Sequence, residues 1–561
     1  MLSIASIMIV LCVVFWVIFW VNRPNIEAAI QRLPNLPDMS GKPEVFTRNM
    51  PRVDQEIRKA IEAGLNAGQL GNEAGKLGEV YQANDYYKRA LQCYKIAAEL
   101  DPKNAKWPHH SAFLYQLMGD NESAIRFLER TVELSPDYLP AILKLADINY
   151  KSGRTEKAHK GYQACLQISA NDRYALLGLA RIAVDESEWK DAREILEKAL
   201  KHHPDFGAIN HLLARVYGHF GRTADKQRLL SRSYMRFEEA PDPWIIELQW
   251  LCFDVDKLIT IAHKAKQLGD YERAEEIYKH AIKLAPDNVS GYVEVANLYL
   301  DLKRFNDANI YLQKAIKLDP SNPQPYYKSA LLLLREKNKP KEAEELFLKA
   351  LSLNEESNTY YFLAQCRYQQ KQYRDAIEYC KKSIDINLAR RSAHFLWGNC
   401  LEELGDTDGA IEHYLEELKN NSDFTDARSA AAKLLLEKKK LKEAIYHYRR
   451  VAEETPNDIS VLNTLGWILA ATPDAELRNP SEAITFSKRA CELTHYKIPV
   501  LLDTLAVAYA SSGDFPRAAE TSKKAARLAK SSGQEALLNN ILNRLKLYES
   551  NKAYVESTSG E

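Results

Sequence analysis

Residues 274–288 read AEEIYKHAIKLAPDN, and residues 308–322 read ANIYLQKAIKLDPSN. Ala274 and Ala308, Ala281 and Ala315, and Pro286 and Pro320 are each 34 residues apart. The shared frame is Ala, three residues, an aromatic or Leu, two residues, a small residue, four residues, Pro. Upstream it fits Ala90-Tyr94-Ala97-Pro102, Ala124-Leu128-Thr131-Pro136, Ala158-Tyr162-Cys165 and Ala192-Leu196-Ala199-Pro204. Downstream it returns at Ala343, Ala376, Ala410, Ala444, Ala483 and Ala518. A second element precedes most copies: Leu77-Gly78 with Tyr81, Leu145-Ala146, Leu179-Ala180, Val295-Ala296 with Tyr299, Leu363-Ala364, Leu465-Gly466, and Leu505-Ala506 with Tyr509.

Both elements place apolar or small residues at i, i+3, i+4 and i+7, the period of a helix with one buried face. Small residues let two backbones approach closely, and the aromatic or Leu fills the space beside them. The phrases SGR (152–154), LGD (268–270, 404–406) and SGD (512–514) mark the turn inside each pair, and Pro closes its second helix. One pair cannot bury its own apolar face, so the pairs must stack into an all-α solenoid.

This pattern resembles the tetratricopeptide repeat. Thirteen copies run between about residues 71 and 530, and the fifth (about 207–240) keeps only its first helix, INHLLARVYGHFGR. The resemblance implies a right-handed superhelix whose concave groove is lined by first helices. The expected organisation is array 1 over 71–240, an inter-array segment over 241–254 (PDPWIIELQWLCFD) and array 2 over 255–530. Val53, Ile57, Ile61 and Leu65 predict a capping helix over 53–70, and Leu537, Leu538, Ile541, Leu542, Leu545 and Tyr548 predict another over 531–550. Five prolines in 22–52 make residues 23–52 an extended linker, and 551–561 reads as a disordered tail.

The N-terminus, MLSIASIMIVLCVVFWVIFWVNRP, carries no charge over residues 2–21, long enough at about 1.5 Å per residue to span a ~30 Å hydrocarbon layer. Residues 1–22 therefore predict a single transmembrane anchor. Its apolar run exceeds that of a signal peptide, and neither a basic n-region nor an A-x-A site accompanies it. Arg23, Arg32 and Lys42 follow the span and no Lys or Arg precedes it, which favours repeats on the cytoplasmic face of an inner or cell membrane. The periplasmic side stays open, because the bias is only three charges.

Little chemistry is legible. Lys+Arg and Asp+Glu both number 76, so no cationic footprint for nucleic acid exists. GNEAGKLG (71–78) falls one residue short of a P-loop and lacks its Ser or Thr. The eight cysteines show no zinc or redox spacing and read as buried thiols. His109, His110, His202, His203, His211 and His219 lack an accompanying ligand frame and read as partly exposed structural residues. No catalytic residue, cofactor, metal or small-molecule substrate is expected, and the chain reads as a non-enzyme.

What remains is surface. The resemblance implies that first-helix positions look into the groove: Lys144, Asp147, Arg181, His211, Arg215, His263, Asn297, Lys328, Tyr361, Gln365, Asn399, Lys433, Asn463, Trp467 and Asp503. Tyr361 and Trp467 are the expected anchors for a protein or peptide ligand, since aromatics dominate binding hot spots. The two-Lys, two-Asn, Arg clamp of chaperone-binding members does not recur in three successive repeats. The expected function is a membrane-anchored scaffold binding proteins, with envelope assembly as the pathway that bacterial relatives of this layout imply. The alternative is a non-catalytic accessory subunit of a membrane or periplasmic transferase or cytochrome complex.

Overall fold

Each Ala frame lies on the second helix of a helical pair, and its Ala is buried wherever the frame recurs: Ala90, Ala124, Ala158, Ala192, Ala274, Ala308, Ala343, Ala376, Ala410, Ala444, Ala483 and Ala518. The structure, a computed structural model, describes residues 26–63, 65–231, 240–387 and 392–556. Thirteen helical pairs follow one another from Ala67–Ala83 with Tyr87–Leu100 to Pro499–Ser511 with Phe515–Ser531, and the helix Glu535–Glu549 closes the series. The expected span at 2–21 lies outside the described residues. Among the described residues no helix is long and apolar enough to cross a membrane.

Local chemistry explains the pairing. In LGD and SGD the glycine takes the left-handed conformation, as at Gly269 (φ 83°) and Gly513 (φ 84°), which a Cβ would strain. The next residue, Asp270 or Asp514, accepts the N–H of Arg273 or Arg517 and caps the second helix. Asn288 caps the next first helix through Ser290 N. Close approach is literal at Gly78, where a Cβ would stand 2.7 Å from the Tyr94 ring.

The frame's second small position is Ala, Thr131, Cys165 or Ser383 in many copies, but Glu417 in the tenth, fully buried. Its carboxylate accepts the backbone N–H groups of Ser392 (2.9 Å) and Phe395 (3.2 Å). It thus caps the helix Ala393–Glu403, which Ser392, at φ 72°, does not cap with its own side chain.

Several boundaries differ from the sequence reading. The chain divides into two compact units, up to Leu318 and from Asp319, rather than at 241–254. The fifth repeat has a second helix after all, the eight-residue Thr223–Leu230. The described part of the 23–52 linker is not extended. It holds the helix Ile26–Gln31 and the start of Glu44–Glu62, which contains Pro51 and buries Phe46 and Met50. Between these helices, Gln92 donates to Arg32 O (2.7 Å), Arg89 to Asn35 O (3.1 Å) and Tyr86 to Asp38 O (3.2 Å). Prolines suit such a strap, since they lack the N–H that would otherwise need a partner. The expected 53–70 cap is therefore Glu44–Glu62, and residues from Ala67 already belong to the first pair. The expected tail is ordered as far as Glu556, and 557–561 lie outside the described residues.

Candidate peptide-binding face

Within each unit, consecutive first helices pack against one another, as do Leu139–Lys151, Arg173–Asp185 and Gly207–His219 in the first and Pro323–Arg335, Ser357–Gln369 and Ala393–Glu403 in the second. Each second helix packs on its own first helix and on the next, as Thr155–Ile168 does on Leu139–Lys151 and Arg173–Asp185. Tyrosines on second helices bond polar side chains of the first. Tyr162 donates to Asp147 (2.6 Å), and Tyr414 donates to Asn399 (2.8 Å) and Glu402 (2.9 Å). Asp147 and Asn399 are thereby oriented by the core.

In the first unit, the charges of Arg181 and Arg215 act on Tyr150, whose hydroxyl bonds Asp185, and Arg181 also acts on Tyr162, which holds Asp147. Burial, then the Asp185 bond, pushes the Tyr150 phenol up to about 12, while Arg181 and Arg215 oppose the shift. His211 and Arg215 are exposed. Asn297 shares Glu294 with His263, at 3.2 and 2.9 Å. Lys144 Nζ stands 5.3 Å from the Phe113 ring centre and lines a cavity of about 460 Å³.

The far wall of that cavity is the segment after residue 240, containing Pro243–Ile246 and the 3-10 turn Glu247–Leu251. This segment folds back onto the first repeats. Asp242 meets His109 (2.6 Å) and Tyr138 (2.7 Å), and Trp244 stacks on Tyr138 with ring centres 3.7 Å apart. Asn84 donates to Leu251 O and accepts from Phe253 N, both at 2.8 Å. Burial pushes the Asp242 carboxyl up, but the His109 hydrogen bond and charge, with Tyr138, outweigh it and hold it below the usual range. His109 and His110 are fully buried, not partly exposed as their sequence suggested. His110 stacks on Tyr94 and lies 3.4 Å from Glu79, and burial pushes its imidazole down.

In the second unit, Gln365 donates to the Tyr361 hydroxyl (3.0 Å), and both are half-buried, as is Lys328. Lys433 pairs with Glu402 at 3.0 Å. The sequence reading missed His394, Trp397 and His413. The two Nδ1 atoms lie 3.0 Å apart, and the His413 ring stacks on Trp397 with centres 3.8 Å apart. Burial, then the charge of His394, pushes His413 down to about 4. Asn463 Oδ1 is buried without a hydrogen-bond partner. Asp503, expected in the groove, lies beneath the last helix and is gripped by Arg544 at 3.2 and 2.5 Å. Trp467 does not face open solvent alone, since its indole donates to Glu556 at 2.5 Å.

Among the described residues no His, Cys, Asp and Glu cluster could hold a metal ion. GNEAGKLG lies inside the helix Ala67–Ala83, with Gly75 and Gly78 set against Trp107 and Tyr94. Among the described residues seven cysteines are free and buried, and burial pushes Cys252, for one, up to about 11, which leaves it inert at neutral pH.

Comparison with known proteins agrees with this architecture. Models described as tetratricopeptide repeat match residues 75–104, 115–182, 177–225, 265–334 and 390–459, together about half of the chain. The model of anaphase-promoting complex, cyclosome, subunit 3 matches 336–417. The chain is 24% identical over 240 residues to human Protein O-mannosyl-transferase TMTC3, covering 39% of this chain and 24% of that protein. It is 21% identical over 301 residues to human DnaJ homolog subfamily C member 7, covering 45% and 61%. The chain thus spans less than two thirds of either relative. Among solved structures, yeast Tom70 is similar at 17% identity and a TM-score of 0.31, covering 80% of this chain and 96% of that one. Thirteen helical pairs, twelve of them carrying the Ala frame, and the family models agree: the chain is a tetratricopeptide-repeat protein.

Proposed function

We propose that this chain is a non-catalytic scaffold that binds peptide segments of partner proteins on its first-helix faces, anchored to a membrane by residues 2–21. The observation that carries the reading is the row Tyr361, Gln365, Asn399 and Asn463. These are half-buried aromatic and amide side chains on first helices, oriented partly from below by core tyrosines. Half-buried aromatics beside fixed hydrogen-bonding groups make hot spots, because little side-chain entropy remains to be lost on binding. Ala at Tyr361 should weaken capture of a membrane-extracted partner by about 2 kcal/mol with thermal unfolding nearly unchanged. Equal loss of capture and stability would contradict it.

The uncharged run at 2–21 and the three following charges support a bacterial-type anchor with repeats on the cytoplasmic face. A periplasm-only phosphatase fused after residue 561 should stay inactive, and strong activity would overturn the orientation. The second reading is an accessory subunit of a membrane transferase complex, favoured by the repeat similarity to a protein named as an O-mannosyl-transferase. Under either reading the purified protein turns over no substrate alone.

A further inference from the structure

The last helix, Glu535–Glu549, ends in a left-handed turn at Asn551 (φ 55°). The N–H groups of Asn551 and Lys552 return to the carbonyls of Tyr548 (3.0 Å) and Leu547 (2.9 Å), which caps the helix and fixes the direction in which the chain leaves. Residues 552–556 then run without regular structure onto the helix Ile459–Ala471. Glu556 N–H donates to Ala471 O at 2.8 Å, a carbonyl at the helix end that no intrahelical donor reaches. The Glu556 carboxylate accepts the Trp467 indole N–H. The Tyr554 ring centre lies 5.8 Å from that of Trp467, and the Arg544 guanidinium lies 5.3 Å from each ring. Arg544 is itself held in place by buried Asp503.

These are the contacts of a bound peptide: one main-chain bond, one aromatic anchor, and one carboxylate read by a fixed donor. The segment buries little. Lys552, Ala553, Val555 and Glu556 are exposed and only Tyr554 is half-buried, so its local release costs far less than unfolding.

We propose that Trp467, Arg544 and the Ala471 carbonyl form a peptide-binding site for an extended segment carrying an aromatic residue followed two positions later by a carboxylate. Residues 552–556 fill this site in cis as a built-in competitor. The proposal rests on the reading that first-helix faces bind peptides, and adds the ligand chemistry and its regulation. A short tether sets an effective concentration in the millimolar range, so an incoming peptide of equal strength is held off until it is abundant or multivalent.

The test uses labelled peptide KAYVE, the sequence of residues 552–556, with KAAVQ as control, and reads anisotropy against the full-length protein in detergent. A variant ending at Asn551, and full-length Tyr554→Ala/Glu556→Gln, should bind KAYVE at least ten-fold more tightly than the wild type, and KAAVQ not measurably. Trp467→Ala in the truncated protein should abolish the gain. Equal binding by all forms, or none by either variant while circular dichroism shows the native helix content, overturns the proposal. If the truncated protein unfolds, the double substitution alone decides. Partner capture through Tyr361 is independent of this segment. Capture retained with no KAYVE binding overturns this inference alone, and KAYVE binding with capture unchanged in Tyr361→Ala removes the Tyr361 row from the broader reading and leaves this inference standing.

Discussion

His109 Nε2 lies 2.6 Å from Asp242 Oδ2, a contact that closes 133 residues of chain and pins the irregular segment after residue 240 onto the second repeat. Both side chains are nearly buried, at 2% and 14% exposure, and Tyr138 supplies a second hydrogen bond to the same carboxylate. The insertion that breaks the 34-residue period is therefore a structural part of the first unit.

Asp242→Ala tests that contact. It leaves His109 Nε2 buried and unpaired, next to an Nδ1 that already lacks a partner, at a cost of about 1–3 kcal/mol. Amide hydrogen exchange over Pro243–Leu251 should accelerate selectively. Exchange unchanged there would mean that stacking of Trp244 on Tyr138 holds the segment without the carboxylate.

Gly78→Ala tests the close approach on which the repeat depends. The new methyl would meet the fully buried Tyr94 ring and Cys93 Cβ, so the helices must separate, an overpacking cost of about 1–3 kcal/mol by urea unfolding. A neutral or stabilising result, as expected from helix propensity alone, would contradict the packing described.

His413 predicts an acid-sensitive second unit. Its folded value near 4 lies below the ~6.5 of an unfolded histidine, so between these values the unfolded chain holds the extra proton. Its contribution is therefore complete above about pH 6.5 and is lost as pH falls toward 4. His394, also pushed down by burial, adds in the same sense. The ring is partly exposed, so the loss is on the order of 1 kcal/mol after solvent screening, roughly 2–4 °C in Tm. His413→Gln should shrink the fall in Tm between pH 7 and pH 5, and an unchanged fall would refute the assignment.

The repeats were legible because their signal is local: Ala308, Leu312 and Ala315 all vanish into the core that their spacing describes. The proline-rich stretch misled because composition outweighed pattern. Phe46 and Met50, four apart, already marked a buried helical face through Pro51, whereas the side chains that bind the carbonyls of residues 32–38 come from the first pair. Glu417 breaks the small-residue frame, and the left-handed Ser392, whose N–H it accepts, explains it only in three dimensions. The His394–His413 contact joins two helices at no repeating interval, so no periodicity reports it. Trp467 was singled out as an aromatic on a first helix, but nothing in the sequence pairs it with Glu556, 89 residues on.

Under the proposed function, partners bind the first-helix face. The most direct measurement is photocrosslinking in cells from a benzophenone amino acid placed at Tyr361, compared with one at Glu345, exposed on the second helix Pro340–Leu353. A discrete crosslinked partner is expected from position 361 and none from position 345. Crosslinks from 345 and none from 361 would contradict it.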